Sequence, residues 1–129
     1  MLLEFKTKNY KSFVEEASFS MVAAPKQKGL DYSLMKTKIK GKEIKGLSSS
    51  VIYGPNAAGK TNIIGAMDVL RAIVLRGNIR NSEEKSSPNP AAAALELIPN
   101  NNGMESKPVC FEIEFYEEDG ENHKFKIHY

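Results

Sequence analysis

The chain has 129 residues, 41% hydrophobic and 26% charged, with nine Gly, six Pro, one Cys and no Trp. At roughly 150 residues per domain this is one domain at most, and the balanced charge and apolar content exclude wholesale disorder and collagen-like or coiled-coil builds. A lone Cys110 cannot form an internal disulfide, and no Cys/His cluster is spaced for structural zinc, which fits a reducing compartment. Glu4, Lys6, Lys8 and Lys11 interrupt any signal-peptide core, and no apolar run of about 18 residues occurs, so a cytoplasmic protein without a membrane partner is expected. The net charge of +2 is uneven: +5 over residues 1–45, +1 over 46–104 and −4 over 105–129. The early lysines fall on apparent strand faces and hairpins, which reads as a solvated face rather than a polyanion-binding stripe.

In chain order, Leu3, Phe5, Thr7 and Asn9 alternate with Glu4, Lys6 and Lys8, the period-two pattern of a half-buried strand. Ala17, Phe19 and Met21 repeat it. Beyond Pro25, Leu34–Ile39, the turn residues Lys40–Lys42 and Ile44 predict a weak hairpin. Leu47–Tyr53 is predicted as a short strand ending in Val51, Ile52 and Tyr53 and stopped by Gly54 and Pro55. The period then changes. From Thr61 to Arg76, Ile63, Ala66, Met67, Leu70, Ile73 and Val74 recur at three and four, which predicts one helical stripe facing a core. Arg71 and Arg76 stand toward the end where the helix dipole favours cations, and Gly77 supplies a left-handed stop. Asn78–Gly103 is expected to be a loop insertion with at most one short helix, in the Ala91–Ile98 run. In the tail Val109, Phe111, Ile113 and Phe115 point inward and Glu112 and Glu114 outward. A turn at Glu118–Glu121 and then Phe125 and Ile127 complete an antiparallel hairpin.

Between the predicted strand and helix stands Gly54-Pro55-Asn56-Ala57-Ala58-Gly59-Lys60-Thr61, a complete G-x-x-x-x-G-K-[ST] phosphate-binding loop. Residue frequencies give such a match by chance in under about 1% of chains this long, and strand-before, helix-after is the context the motif requires. A triphosphate must exchange its water for protein donors, so the loop wraps it in backbone N–H groups that side chains would obstruct. Gly54 and Gly59 permit the tight turn, and Asn56–Thr61 aim successive amides at the β-phosphate from a helix N-terminus, where the dipole adds positive potential. Lys60 is expected to bridge β- and γ-oxygens through ionic hydrogen bonds worth about 1.5–3 kcal/mol. Thr61 is expected to ligate Mg²⁺ through its hydroxyl.

Extended through Asn62-Ile63-Ile64, this stretch resembles the Walker A region of ABC-type ATPase heads of the SMC and RecF-like group, and most of all bacterial AAA-family ATP-binding proteins related to OLD and abortive-infection ATPases. Asn9-Tyr10-Lys11-Ser12-Phe13 resembles the N-F-[RK]-S-F element of those proteins, about 40 residues before the loop, and Phe111–Phe115 resembles their F-E-[IV]-x-F hairpin. The resemblance implies an α/β fold of the P-loop NTPase type, an ABC-ATPase-head-like N-terminal lobe belonging to a longer ATPase. Its antiparallel β-subdomain would be residues 1–45 and 107–129, its strand, loop and helix 47–77, and its insertion 78–106. It also implies ATP and Mg²⁺ as cofactors, Lys60 as the catalytic phosphate contact, Asn62 beside the nucleotide and Lys11 as a phosphate-side contact. A homodimer that sandwiches ATP between heads follows from the resemblance, as does nucleic-acid interaction. Two departures are visible: Gly65 where Glu is frequent, and Ala57 where Gly is commoner. From the second, a loop position with no need of a left-handed backbone is expected.

No Walker B strand is visible. Phe111–Asp119 ends acidic but alternates polar and apolar, and Gly46–Ser50 precedes the loop although the family's LSGG signature follows it. Hydrolysis is therefore expected of the complete ATPase, and the alternative is a nucleotide- or polyanion-binding module without catalysis. A GTPase or small-molecule kinase would want N-K-x-D or an arginine-bearing lid, and neither is present. His123 and His128, five apart on one predicted strand, fall on opposite faces and form neither a metal pair nor a base dyad. Cys110 reads as a strand thiol, and Tyr10, Phe13 and Tyr32 read as core or strand packing in preference to a base-stacking ring.

Overall fold

The computed structural model describes residues 1–25, 29, 31–39, 41–76, 97–117 and 121–129. Gly77, most of the predicted insertion and the tip of the C-terminal hairpin lie outside the described residues. The elements in order are strands Leu2–Lys8 (β1) and Ala17–Ser20 (β2), a 3₁₀ turn at Asp31–Ser33, and strands Leu34–Ile39 (β3) and Lys42–Leu47 (β4). Helix Lys60–Arg76 (α1) and strands Cys110–Tyr116 (β5) and Asn122–His128 (β6) follow.

Four strands form one sheet in the order β2-β1-β5-β6, antiparallel at every pair, and β3 with β4 forms a separate hairpin. The period-two pattern explains the sheet's two faces. Leu3, Phe5 and Thr7 of β1 are buried, as is Asn9 just beyond it. Glu4, Lys6 and Lys8 turn outward into ion pairs with Glu16, Glu112 and Glu15 and with one another. On that outer face Glu112 is the hub, 2.9 Å from the Lys124 ammonium, 3.7 Å from Lys126 and 3.8 Å from Lys6. The hydrogen bond from Lys124, helped by the charges of Lys124, Lys6 and Lys126 and outweighing the upward push of burial, holds the Glu112 carboxyl below its ordinary value. The lysine excess of the first third and the acid excess of the tail thus meet across adjacent strands.

α1 lies against the inner face. Ile63, Ala66, Val69, Leu70 and Ile73 join Phe5, Tyr10, Val109 and Phe111 in one core, where burying a side chain such as Leu70 or Phe111 contributes about 1.5–3 kcal/mol. The helix begins one residue before the predicted start, and its buried stripe is turned relative to the predicted one. Val69 is 1% exposed whereas Val74 is 67% exposed. Val69 shares the face of Ala66 and Ile73 at helical spacing, and Val74 stands one residue, about 100°, past the centre of that face.

Two further expectations are corrected. Leu47–Tyr53 is not a strand: Leu47 closes β4, and no strand among the described residues pairs with Ser48–Tyr53. An extended apolar segment becomes a strand only with a neighbouring ladder for its N–H and C=O groups, and Val51 and Tyr53 stand 80% and 87% exposed. Tyr32 is not packed in the core; it sits in the 3₁₀ turn with its ring exposed. Among the described residues no helix is long and apolar enough to cross a membrane.

Candidate functional site

The loop's shape comes from two left-handed residues. Gly59 has φ +82° and Ala57 has φ +63°. The second overturns the expectation drawn from its side chain: this position does adopt the left-handed conformation, and an alanine there bears a steric cost of about 1–2 kcal/mol that glycine would not. The Gly59 carbonyl accepts from the amides of Asn62 at 3.0 Å and Ile63 at 3.1 Å, and so opens α1. The amides of Asn56, Ala57, Gly59, Lys60 and Thr61 make no hydrogen bond among the described residues. They are the donors that a helix start leaves without an intrahelical partner, together with those of a loop bent to expose its N–H groups.

Lys60 reaches back across the loop. Its ammonium donates to the carbonyl oxygens of Gly54 at 2.7 Å and Pro55 at 2.5 Å, which places a positive charge beside the open amides. Pro55, Asn56, Ala58 and Thr61 are exposed, and Gly59 and Lys60 are half-buried. Among the described residues no three His, Cys, Asp or Glu gather as a metal cluster. The Thr61 hydroxyl, exposed on the first turn of α1, is an oxygen donor of the kind that a hard cation takes beside phosphate oxygens and water. Open amides, a lysine and one hydroxyl fit a magnesium-bound polyphosphate.

Behind the loop stands the turn Asn9–Phe13. Tyr10 and Phe13 close it with reciprocal backbone hydrogen bonds of 3.0 and 2.8 Å. Its contacts explain two glycines. A Cβ on Gly59 would lie 3.0 Å from Phe13 Cε1, and one on Gly65 would lie 3.2 Å from the Tyr10 hydroxyl. Asn62 Nδ2 donates to Ser12 Oγ at 2.7 Å. Lys11, also left-handed with φ +47°, places its ammonium 5.6 Å from the Tyr10 ring centroid. Tyr10 itself is buried at 1% exposure in the core.

A family model described as "AAA domain, putative AbiEii toxin, Type IV TA system" matches residues 49–127, from just before the loop to within β6. The chain belongs to that family of AAA domains. Curated proteins give no match. The family is one of AAA-type, P-loop ATPase-like domains, so nucleotide binding is its general property.

In this AAA domain the sequence motif marked the loop but missed what sits behind it. Asn9 is 1% exposed and Asn100 4%. Asn9 Nδ2 serves the carbonyls of Met104, Lys107 and Pro108 at 3.0, 2.8 and 3.3 Å, while its Oδ1 accepts from the Asn100 amide at 3.0 Å. Asn100 Nδ2 donates to the Lys11 carbonyl at 2.6 Å and its Oδ1 accepts from the Asn102 amide at 2.9 Å. Asn9 carried a signal, since it continued the inward alternation of β1. Asn100 carried none, lying among Asn101, Asn102 and Gly103 in a segment expected to be a loop. The two histidines do part to opposite faces. His123 stacks on Phe115 and Phe125, and His128 pairs with Cys110 across β5.

Proposed function

We propose that the domain binds ATP with Mg²⁺ at Gly54–Asn62, and that ATP hydrolysis belongs to the complete protein. The observation that carries this reading is the loop itself: with left-handed Ala57 and Gly59, a run of amides makes no hydrogen bond among the described residues at the N-terminus of a 17-residue helix, beside the Lys60 ammonium. Amides so oriented, with the helix dipole behind them, receive a phosphate. Lys60 would exchange the Gly54 and Pro55 carbonyls for β- and γ-phosphate oxygens. Thr61 would hold Mg²⁺, and Lys11 would add positive charge from the supporting turn. When bound, Mg²⁺ neutralises charge on the phosphoryl oxygens, as in other phosphoryl-transfer sites. The exposed face around the loop is where a second copy would complete the site in a head-to-head dimer.

Magnesium-ATP should raise the unfolding midpoint of the 129-residue chain, because a ligand that binds only the native state stabilises it. Lys60→Ala should abolish that rise in a thermal-shift titration, and an undiminished rise in the variant would reject the assignment.

A second reading, a nucleotide- or polyanion-binding module without catalysis, is favoured by the placement of the strand acids. Glu112 and Glu114 face outward from the sheet and are paired to lysines, so neither is available to orient a water. Single-turnover hydrolysis by the chain separates the two, since a Lys60-dependent rate above background belongs only to an ATPase.

A further inference from the structure

The loop is supported by a turn, and the turn is supported by two buried amides at its other side. Asn9 and Lys11 are both non-glycine residues in the left-handed region, at φ +55° and +47°. The left-handed backbone is unfavourable for lysine and less so for asparagine, and at Lys11 it persists only where its surroundings fix it. Here the surroundings are residues 98–108. The Lys11 amide donates to the Ile98 carbonyl at 2.8 Å, and the Lys11 carbonyl accepts from Asn100 Nδ2 at 2.6 Å. The peptide groups flanking the strained Lys11 are therefore held from one side by one short segment. Asn9 is gripped by the same segment, through the Asn100 amide and the carbonyls of Met104, Lys107 and Pro108.

The far side of the turn touches the site. Phe13 fills the space where a Gly59 side chain would be, and Ser12 Oγ accepts from Asn62 on the first turn of α1. Gly59 is also the residue whose carbonyl opens the helix and whose φ turns the amides outward. From Asn100 through Lys11 and the Tyr10–Phe13 turn to Gly59 the contacts are continuous.

We propose that Asn100 is a positioning residue of the nucleotide site, fixing through Asn9 and Lys11 the turn that holds Gly59 and Asn62 in place. This rests on the reading of Gly54–Asn62 as the nucleotide loop. Asn100→Asp is the sharpest probe: it keeps the volume and the acceptor for Asn102, but replaces the donor to the Lys11 carbonyl with a second acceptor. Loss of one buried donor in such a chain of contacts is expected to weaken binding about tenfold.

The experiment titrates a fluorescent ATP analogue with Mg²⁺ into the 129-residue chain, its Asn100→Asp and Lys60→Ala variants, and Ile113→Ala. The last loosens the same core from β5, away from the hydrogen bonds of the turn. All are compared at a temperature where each is folded by circular dichroism. The expected result is tight binding by the parent chain, about tenfold weaker binding by Asn100→Asp, near-parent affinity for Ile113→Ala and none for Lys60→Ala. Parent-like affinity in Asn100→Asp would overturn the positioning role alone, and so would an equal loss in Ile113→Ala, which would mark a general effect of stability. Absence of binding by the parent chain would overturn the nucleotide reading and the positioning role together. If Asn100→Asp does not fold, Asn100→Ser is read in its place by the same criteria.

Discussion

The outer face of the sheet and the phosphate-type loop solve opposite problems. On the sheet, charge meets charge across adjacent strands: Lys6, Lys124 and Lys126 surround Glu112, and β1, β5 and β6 satisfy one another's backbones in register. In the loop, five amides make no hydrogen bond among the described residues, one alanine sits in a left-handed conformation, and the lysine is held by carbonyls of its own loop. Unmet donors and backbone strain cluster where a protein prepares for something it does not itself contain, while a satisfied network marks scaffold. The difference assigns the roles: the sheet bears the structure, and the loop is kept poised by what the sheet and the Asn9–Phe13 turn impose on it.

Substitutions break that contrast unequally. Gly59→Ala should have the largest effect, because it adds a Cβ 3.0–3.1 Å from the Phe13 ring at φ +82°. We expect a loss of about 2–3 kcal/mol in urea unfolding, together with loss of nucleotide-induced stabilisation. Ala57→Gly acts in the other direction. It relieves the left-handed alanine at the cost of a more flexible unfolded chain, for a net gain of about 0.5–1 kcal/mol by the same assay. A loss there would mean that the left-handed backbone at 57 carries no strain.

Glu112→Gln on the scaffold side should be the mildest, a loss of about 0.2–0.5 kcal/mol at neutral pH. The folded-state pKa of Glu112 lies below its ordinary value of 4.5. Its contribution is therefore present in full above that value and is lost as pH falls through the lowered folded value. The gap between parent and variant should close at acidic pH and narrow in high salt, with the ATP response untouched. A variant that lost ATP binding would break the division between scaffold and site.

How much of this was legible beforehand depended on whether a feature is local. Alternation at Leu3, Phe5, Thr7 and Asn9 located β1, the run of three- and four-residue spacings located α1, and the eight-residue motif located the loop, because each is written within a few consecutive residues. A stripe read from apolar residues alone does not say where its centre lies, which is why the spacing includes exposed Val74 and leaves out buried Val69. Val51, Ile52 and Tyr53 read as a strand because β-propensity describes fit to a sheet, and here no described strand adjoins them. Ala57 misled because the backbone it adopts is imposed by the loop and not by its own preference. Asn100 was invisible for a plainer reason. Its partners are Asn9 and Lys11, at the other end of the sequence, and nothing in Pro99-Asn100-Asn101-Asn102 distinguishes a buried clasp from a polar turn.

That pairing of distant segments has a bearing on how the protein comes into being. β1 finds its central partner in β5, roughly a hundred residues downstream, and the turn that follows β1 is gripped by residues 98–108. Long-range pairing of this kind slows folding, since loop-closure entropy is lost before the contacts form. During synthesis the loop and its helix emerge well before β5. Until β5 arrives, Gly59 has no fixed Phe13 to lie against, and competence for the ligand is acquired only after that late strand has docked, not when the motif itself leaves the ribosome.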